Sequence, residues 1–128
     1  MKKLLTIILT AFGLTTACGQ QAFENVDVKA FAELITDSNV VVLDVRTSEE
    51  YAEGHIEGAV LINQFEDDFI EKAQELLPKD KIIAVYCRSG RRSASAATRL
   101  SDVGFRCVNL KGGYLAWQEA MSAWQSTD

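Results

Sequence analysis

The sequence predicts an α/β fold: one central parallel sheet of about five strands with helices on both faces. Two observations lead there. Short apolar runs alternate with helix-length segments along the whole chain. The runs, above all Val40-Val41-Val42-Leu43 and Ile82-Ile83-Ala84-Val85-Tyr86, are continuously apolar, as strands buried on both faces are. A length of 128 residues, 48% hydrophobic and 24% charged, then suits one compact domain and is too short for two.

Residues 1–17 stand outside this fold. Lys2-Lys3 form a basic start, Leu4 to Leu14 an apolar stretch, and Thr15-Thr16-Ala17 a small-residue cleavage region, the pattern of a secretion signal. The apolar stretch is short for a bilayer-spanning helix. Residues 18–24 read as a tether, and 25–128 as the domain. Asp27 is placed to cap a helix over 28–35, with Phe31, Leu34 and Ile35 on one face. The strand 40–43 follows. Thr47 and Glu50 have the spacing of a capping box for a short helix that Gly54 ends. A strand over 59–62 leads to a helix over 65–77, stopped by Pro78. The strand 82–86 precedes a helix over 92–103 closed by Gly104. A strand over 107–110 turns through Lys111-Gly112-Gly113 into a last helix over 114–124, whose Trp117 and Trp124 are expected in the core or at a pocket rim.

The net charge of −5 argues against a nucleic-acid partner. Three cysteines, Cys18, Cys87 and Cys107, are too few for a disulfide framework. Cys107 lies in the apolar stretch 105–110 and is expected in the core. A Cys87–Cys107 disulfide is the alternative in an oxidising compartment.

The chemistry gathers at Cys87-Arg88-Ser89-Gly90-Arg91-Arg92, where a buried strand ends and a helix starts. In open α/β sheets, ligands bind beyond the carboxyl ends of strands. A loop entering a helix aims backbone N–H groups at an anion, and Gly90 supplies the conformational freedom. Neighbouring cations and a helix N-terminus favour a thiolate, the nucleophilic form of Cys87. Arg88, Arg91 and Arg92 bind oxyanions through forked donors, and Arg92, at the helix entrance, is expected to face inward. Asp44 and Arg46 read as a supporting pair near this face. The sole histidine, His55, is expected as a hydrogen-bonded structural residue, with a general base for Cys87 as the alternative.

Several motifs together resemble the single-domain rhodaneses, thiosulfate sulfurtransferase-like proteins. Leu43-Asp44-Val45-Arg46 with Glu50-Tyr51-Ala52-Glu53-Gly54-His55-Ile56-Glu57-Gly58-Ala59 is similar to the family's first signature, with Glu57 where Pro is common. Cys87 to Arg92 resembles its six-residue active loop, and Val108-Asn109-Leu110-Lys111-Gly112-Gly113 with Trp117 its closing signature. The resemblance implies transfer of sulfane sulfur through a Cys87 persulfide. It implies a small sulfur-donor anion, a thiol or cyanide acceptor, and no metal or organic cofactor. A thioredoxin-like reductant is a further expected partner. Phosphatases of related fold carry an arginine six residues after the cysteine; here that position is Ser93. A non-catalytic binding module and an envelope thiol-redox carrier are the competing readings. Leu14-Thr15-Thr16-Ala17-Cys18 resembles a bacterial lipoprotein signal, with Thr15 where Leu is usual. That resemblance implies lipidation of Cys18 and a lipid anchor on the periplasmic side of the cell envelope.

Overall fold

The computed structural model describes residues 23–126. The signal, Cys18 and most of the tether therefore lie outside the described residues. Five parallel strands form one sheet: β1 (Glu24–Val26), β2 (Val40–Asp44), β3 (Val60–Leu61), β4 (Ile82–Tyr86) and β5 (Arg106–Leu110), in the spatial order β1-β5-β4-β2-β3. The helices are α1 (Val28–Leu34), α2 (Ser48–Glu53), α3 (Phe69–Leu76), α4 (Arg91–Asp102) and α5 (Gly113–Ser126).

β4 is central because its neighbours pair along it on both sides, Asp44 with Tyr86 and Cys107 with Ile83. Residues 83–86 are accordingly inaccessible to solvent. Alternate residues of the sheet feed two cores. One face packs Leu43, Ile83 and Val85 under Phe69 and Ala73 of α3 and Ala96, Ala97 and Leu100 of α4. The other packs Val42, Ala84 and Tyr86 under Phe31 of α1, Tyr51 of α2, and Tyr114 and Trp117 of α5. Full burial of Phe31 and of Phe69 contributes about 2–3 kcal/mol each.

The sheet takes in a strand that the tether assignment hid. Glu24–Val26 pairs with β5, and Phe23 packs in the core, so the fold already includes residues before 25. Three residues at a sheet edge are too few to show a periodic pattern. The helix expected over 65–77 is shorter. Asn63 Oδ1 accepts the Phe65 N–H at 3.0 Å, Asn63 O accepts from Glu66 and Glu66 O from Phe69, a run of turns that delays α3 to Phe69 and leaves Phe65 67% exposed. The Asp27 cap and the Thr47/Glu50 capping box form as expected. Trp117 meets Phe31 edge-on with ring centroids 6.2 Å apart, whereas Trp124 is 45% exposed and not a core residue.

Candidate active site

Cys87 follows the last residue of β4, and its side chain is fully buried at the head of the loop that enters α4. Its Sγ accepts the Gly90 N–H at 3.1 Å and the Ser93 hydroxyl at 3.4 Å. Burial by itself raises a thiol pKa and is the largest single influence here. The Ser93 hydroxyl and the amides of Ser93, Gly90 and Ser89 outweigh it, and the Cys87 pKa falls below its ordinary value. A cradle of dipoles thus favours the thiolate form of Cys87.

Two parts of the chain fix that cradle. Gly90 adopts φ +103°, a left-handed conformation that directs its N–H at the sulfur. Its carbonyl accepts from Ala94 N–H at 3.2 Å and from Asn109 Nδ2 at 3.3 Å. From behind, Tyr114 N–H donates to Cys87 O at 2.7 Å and Leu115 N–H to Arg88 O at 3.1 Å. The first amides of α5, which have no partners within their own helix, are satisfied by the loop they hold. Gly113 permits the contact, since a Cβ there would lie 2.7 Å from Cys87 O and closer still to Arg88 O.

The loop arginines divide. Arg88 and Arg91 are exposed, as is Ser89, whose contribution is its backbone N–H. Arg92 is the least exposed of the three, and its guanidinium grips Glu50 in a fork, Nη1 to Oε1 at 3.0 Å and Nη2 to Oε2 at 2.9 Å. It also lies 5.9 Å from the centroid of the Phe65 ring.

Beneath the loop, Asp44 is buried and accepts from Arg46 through the backbone N–H, Nε and Nη2, at 2.8–3.1 Å. Tyr86, the residue before the thiol, donates its hydroxyl to Asp44 Oδ2 at 2.6 Å and accepts the Ile56 N–H at 3.0 Å. Arg46 reaches on to Gly54 O at 2.7 Å and stacks over Tyr114, 4.5 Å from its centroid. This network ties β2, β4, α5 and the loop after α2 into one block. His55 is exposed, stacks on Tyr51 at 3.6 Å and bonds Tyr51 O through Nδ1 at 2.8 Å. The groups donating to Cys87 Sγ come from the loop and the first turn of α4, so the structure does not place His55 as a general base.

Cys107 is buried, and desolvation pushes its thiol up to about 12. It pairs with Ile83, four residues before Cys87 and so about 13 Å away along the strand, beyond the reach of a disulfide. Both thiols are free. Among the described residues no group of three or more His, Cys, Asp or Glu side chains could hold a metal ion.

Residues 27–120 match the Rhodanese-like domain family. The chain belongs to that family. It is 35% identical over 94 residues to a protein of Allochromatium vinosum named Sulfurtransferase, covering 72% of this chain and 85% of that one. It is 30% identical over 102 residues to the Thiosulfate sulfurtransferase GlpE of Pseudoalteromonas translucida, covering 79% and 94%. The crystal structure of a rhodanese-related protein from Thermoplasma volcanium matches with a TM-score of 0.67 and 32% identity, over 77% of this chain and 93% of that one. Such relatives support rhodanese-type sulfur transfer as the activity of this rhodanese-like chain.

Ser93, Glu50, Tyr86, Asn109 and Gly113 shape the site without having been singled out for it from the sequence. Ser93 gave a usable signal, as a hydroxyl in the first turn of a helix that begins at an anion-binding loop, and Glu50, Asn109 and Gly113 stood inside two of the family signatures without a role attached.

Proposed function

We propose that this protein moves sulfane sulfur from a small anionic donor, thiosulfate or a chemical relative of it, to a thiophilic acceptor through a persulfide on Cys87. The Cys87 thiolate attacks the outer sulfur of the donor; the donor S–S bond breaks and its electron pair leaves with sulfite. The new S–S bond leaves a persulfide whose terminal sulfur faces the loop amides. A thiol or cyanide then attacks that sulfur, and the Cys87 thiolate returns. Dipoles fixed before the reaction stabilise both anionic states of the sulfur.

The observation that carries this reading is the cradle itself, with Sγ held by Gly90 N–H and Ser93 Oγ–H. Position 93, where phosphatases of related fold carry an arginine, is a serine bonded to the sulfur, which favours sulfur transfer over phosphate chemistry. We place the reaction at the periplasmic face of a bacterial membrane, on a lipid attached to Cys18; this rests on residues 1–18 alone.

Purified protein given thiosulfate and cyanide should release sulfite and form thiocyanate. Cys87→Ser should abolish both, and Cys107→Ser should retain them. Mass spectrometry of Cys87 in protein mixed with thiosulfate should find one added sulfur. Hydrolysis of a phosphate ester without sulfur transfer would overturn the proposal.

A further inference from the structure

The charges around the thiol are more nearly balanced than the count of arginines implies. Arg46 is neutralised by Asp44 and Arg92 by Glu50. Arg88 and Arg91 are solvated, where water and salt screen them. What remains for an anion is mainly the set of backbone amides.

The Glu50–Arg92 pair is built firmly. Glu50 Oε1 also accepts the Thr47 N–H and the Thr47 hydroxyl, each at 3.1 Å, so the capping box of α2 holds the carboxylate in place. The Arg92 fork holds Glu50 down to about 2, so it is ionised across the physiological range. Arg92 directly precedes Ser93, whose hydroxyl bonds Cys87 Sγ at 3.4 Å, so its charge acts on the thiol. A neutral pair, with side chains only 22% and 26% exposed, thus stands beside the cradle where a free guanidinium would otherwise attract multiply charged anions.

We propose that Glu50 determines donor specificity: by cancelling the charge of Arg92 it weakens binding of dianions such as thiosulfate and favours singly charged persulfide donors of the form R–S–S⁻. This rests on the sulfur-transfer reading above and narrows its donor. Glu50 acts through Arg92 and touches neither the thiol nor the donor.

Glu50→Gln isolates the charge, because glutamine serves equally in a capping box and still offers Arg92 an oxygen. The first readout is independent of turnover. Cys87 in the full chain is alkylated with anionic iodoacetate and with neutral iodoacetamide, and peptide mapping separates it from Cys18 and Cys107. The iodoacetate-to-iodoacetamide rate ratio should rise roughly threefold in Glu50→Gln, fall in Arg92→Gln, and return near the original value in the double variant, as one water-screened unit charge beside the cradle dictates. The second readout is kinetic. In Glu50→Gln the thiosulfate KM should fall about ninefold, and that of a singly charged alkyl persulfide about threefold, because a dianion feels the added charge twice. An unmoved or lowered alkylation ratio, or a raised thiosulfate KM in Glu50→Gln, would overturn the proposal. A raised ratio without sulfur transfer by any variant would keep the charge effect and remove the donor reading.

Discussion

Replacing Ser93 with alanine should raise the pKa of Cys87 by about one unit. A hydrogen bond to a charged group contributes about 1.5–3 kcal/mol. The Ser93 hydroxyl lies 3.4 Å from Sγ, long for such a bond even to sulfur, which argues for the lower end of that range. At 1.36 kcal/mol per unit, 1.5 kcal/mol is roughly one pKa unit. The Ser93 amide remains in Ser93→Ala, and so do the amides of Gly90 and Ser89. The assay is the rate of iodoacetamide alkylation of Cys87 against pH, with the plateau normalised. Stability should follow the same linkage. An acid whose pKa is lowered by folding stabilises the folded state fully above its unfolded value, about 8.5 for a thiol, and loses that contribution as pH falls through the folded value. Denaturant midpoints of wild type and Ser93→Ala should therefore separate most at alkaline pH and converge in acid. An inflection that stays in place or moves down would show that the hydroxyl does not stabilise the thiolate, and the account of the cradle would fail.

Gly113→Ala should push α5 off the loop, lower stability by about 2 kcal/mol in urea unfolding and slow sulfur transfer, through loss of the bonds to Cys87 O and Arg88 O. Asp44→Asn leaves Arg46 buried without its counter-charge and should cost about 3 kcal/mol, read as a lower thermal midpoint. Radiolabelled fatty acid should appear in cells producing the wild type and disappear in Cys18→Ala; label that survives the substitution would refute lipidation.

The sheet was legible because burial on both faces leaves apolar residues throughout β4 and in all of β2 but its last residue, Asp44. The thiol was legible for the same reason, since the apolar run of β4 stops one residue before it. The edge strand β1 was not. Its residues Glu24 and Asn25 are exposed, and what makes them a strand is the pairing with Val108 and Asn109, more than eighty residues away in sequence. Phe65 misled for a related reason: an apolar residue near a helical pattern reads as part of it, but the Asn63 side chain closes a turn first. Arg92 was expected to face inward toward an anion; it is the least exposed of the three loop arginines, but its guanidinium is paired with Glu50, a partner that was hidden. Glu50 was fully explained as a cap, and a residue with one evident role gives no sign of a second, formed 42 positions away. Gly113 acts on the loop by lacking a Cβ, and Asn109 by a side-chain amide that meets a backbone carbonyl nineteen residues away, so neither shows its role in the chemistry of its own neighbourhood.

The grip of α5 on the loop also orders events in time. A ribosome delivers Cys87 and its amide donors well before Tyr114 and Leu115, whose N–H groups fasten the loop from behind. Until that last helix docks, the carbonyls of Cys87 and Arg88 lack the donors that fasten the loop. A chain cut short before residue 113 would carry the nucleophile and its amide donors without the bonds that hold the loop around them.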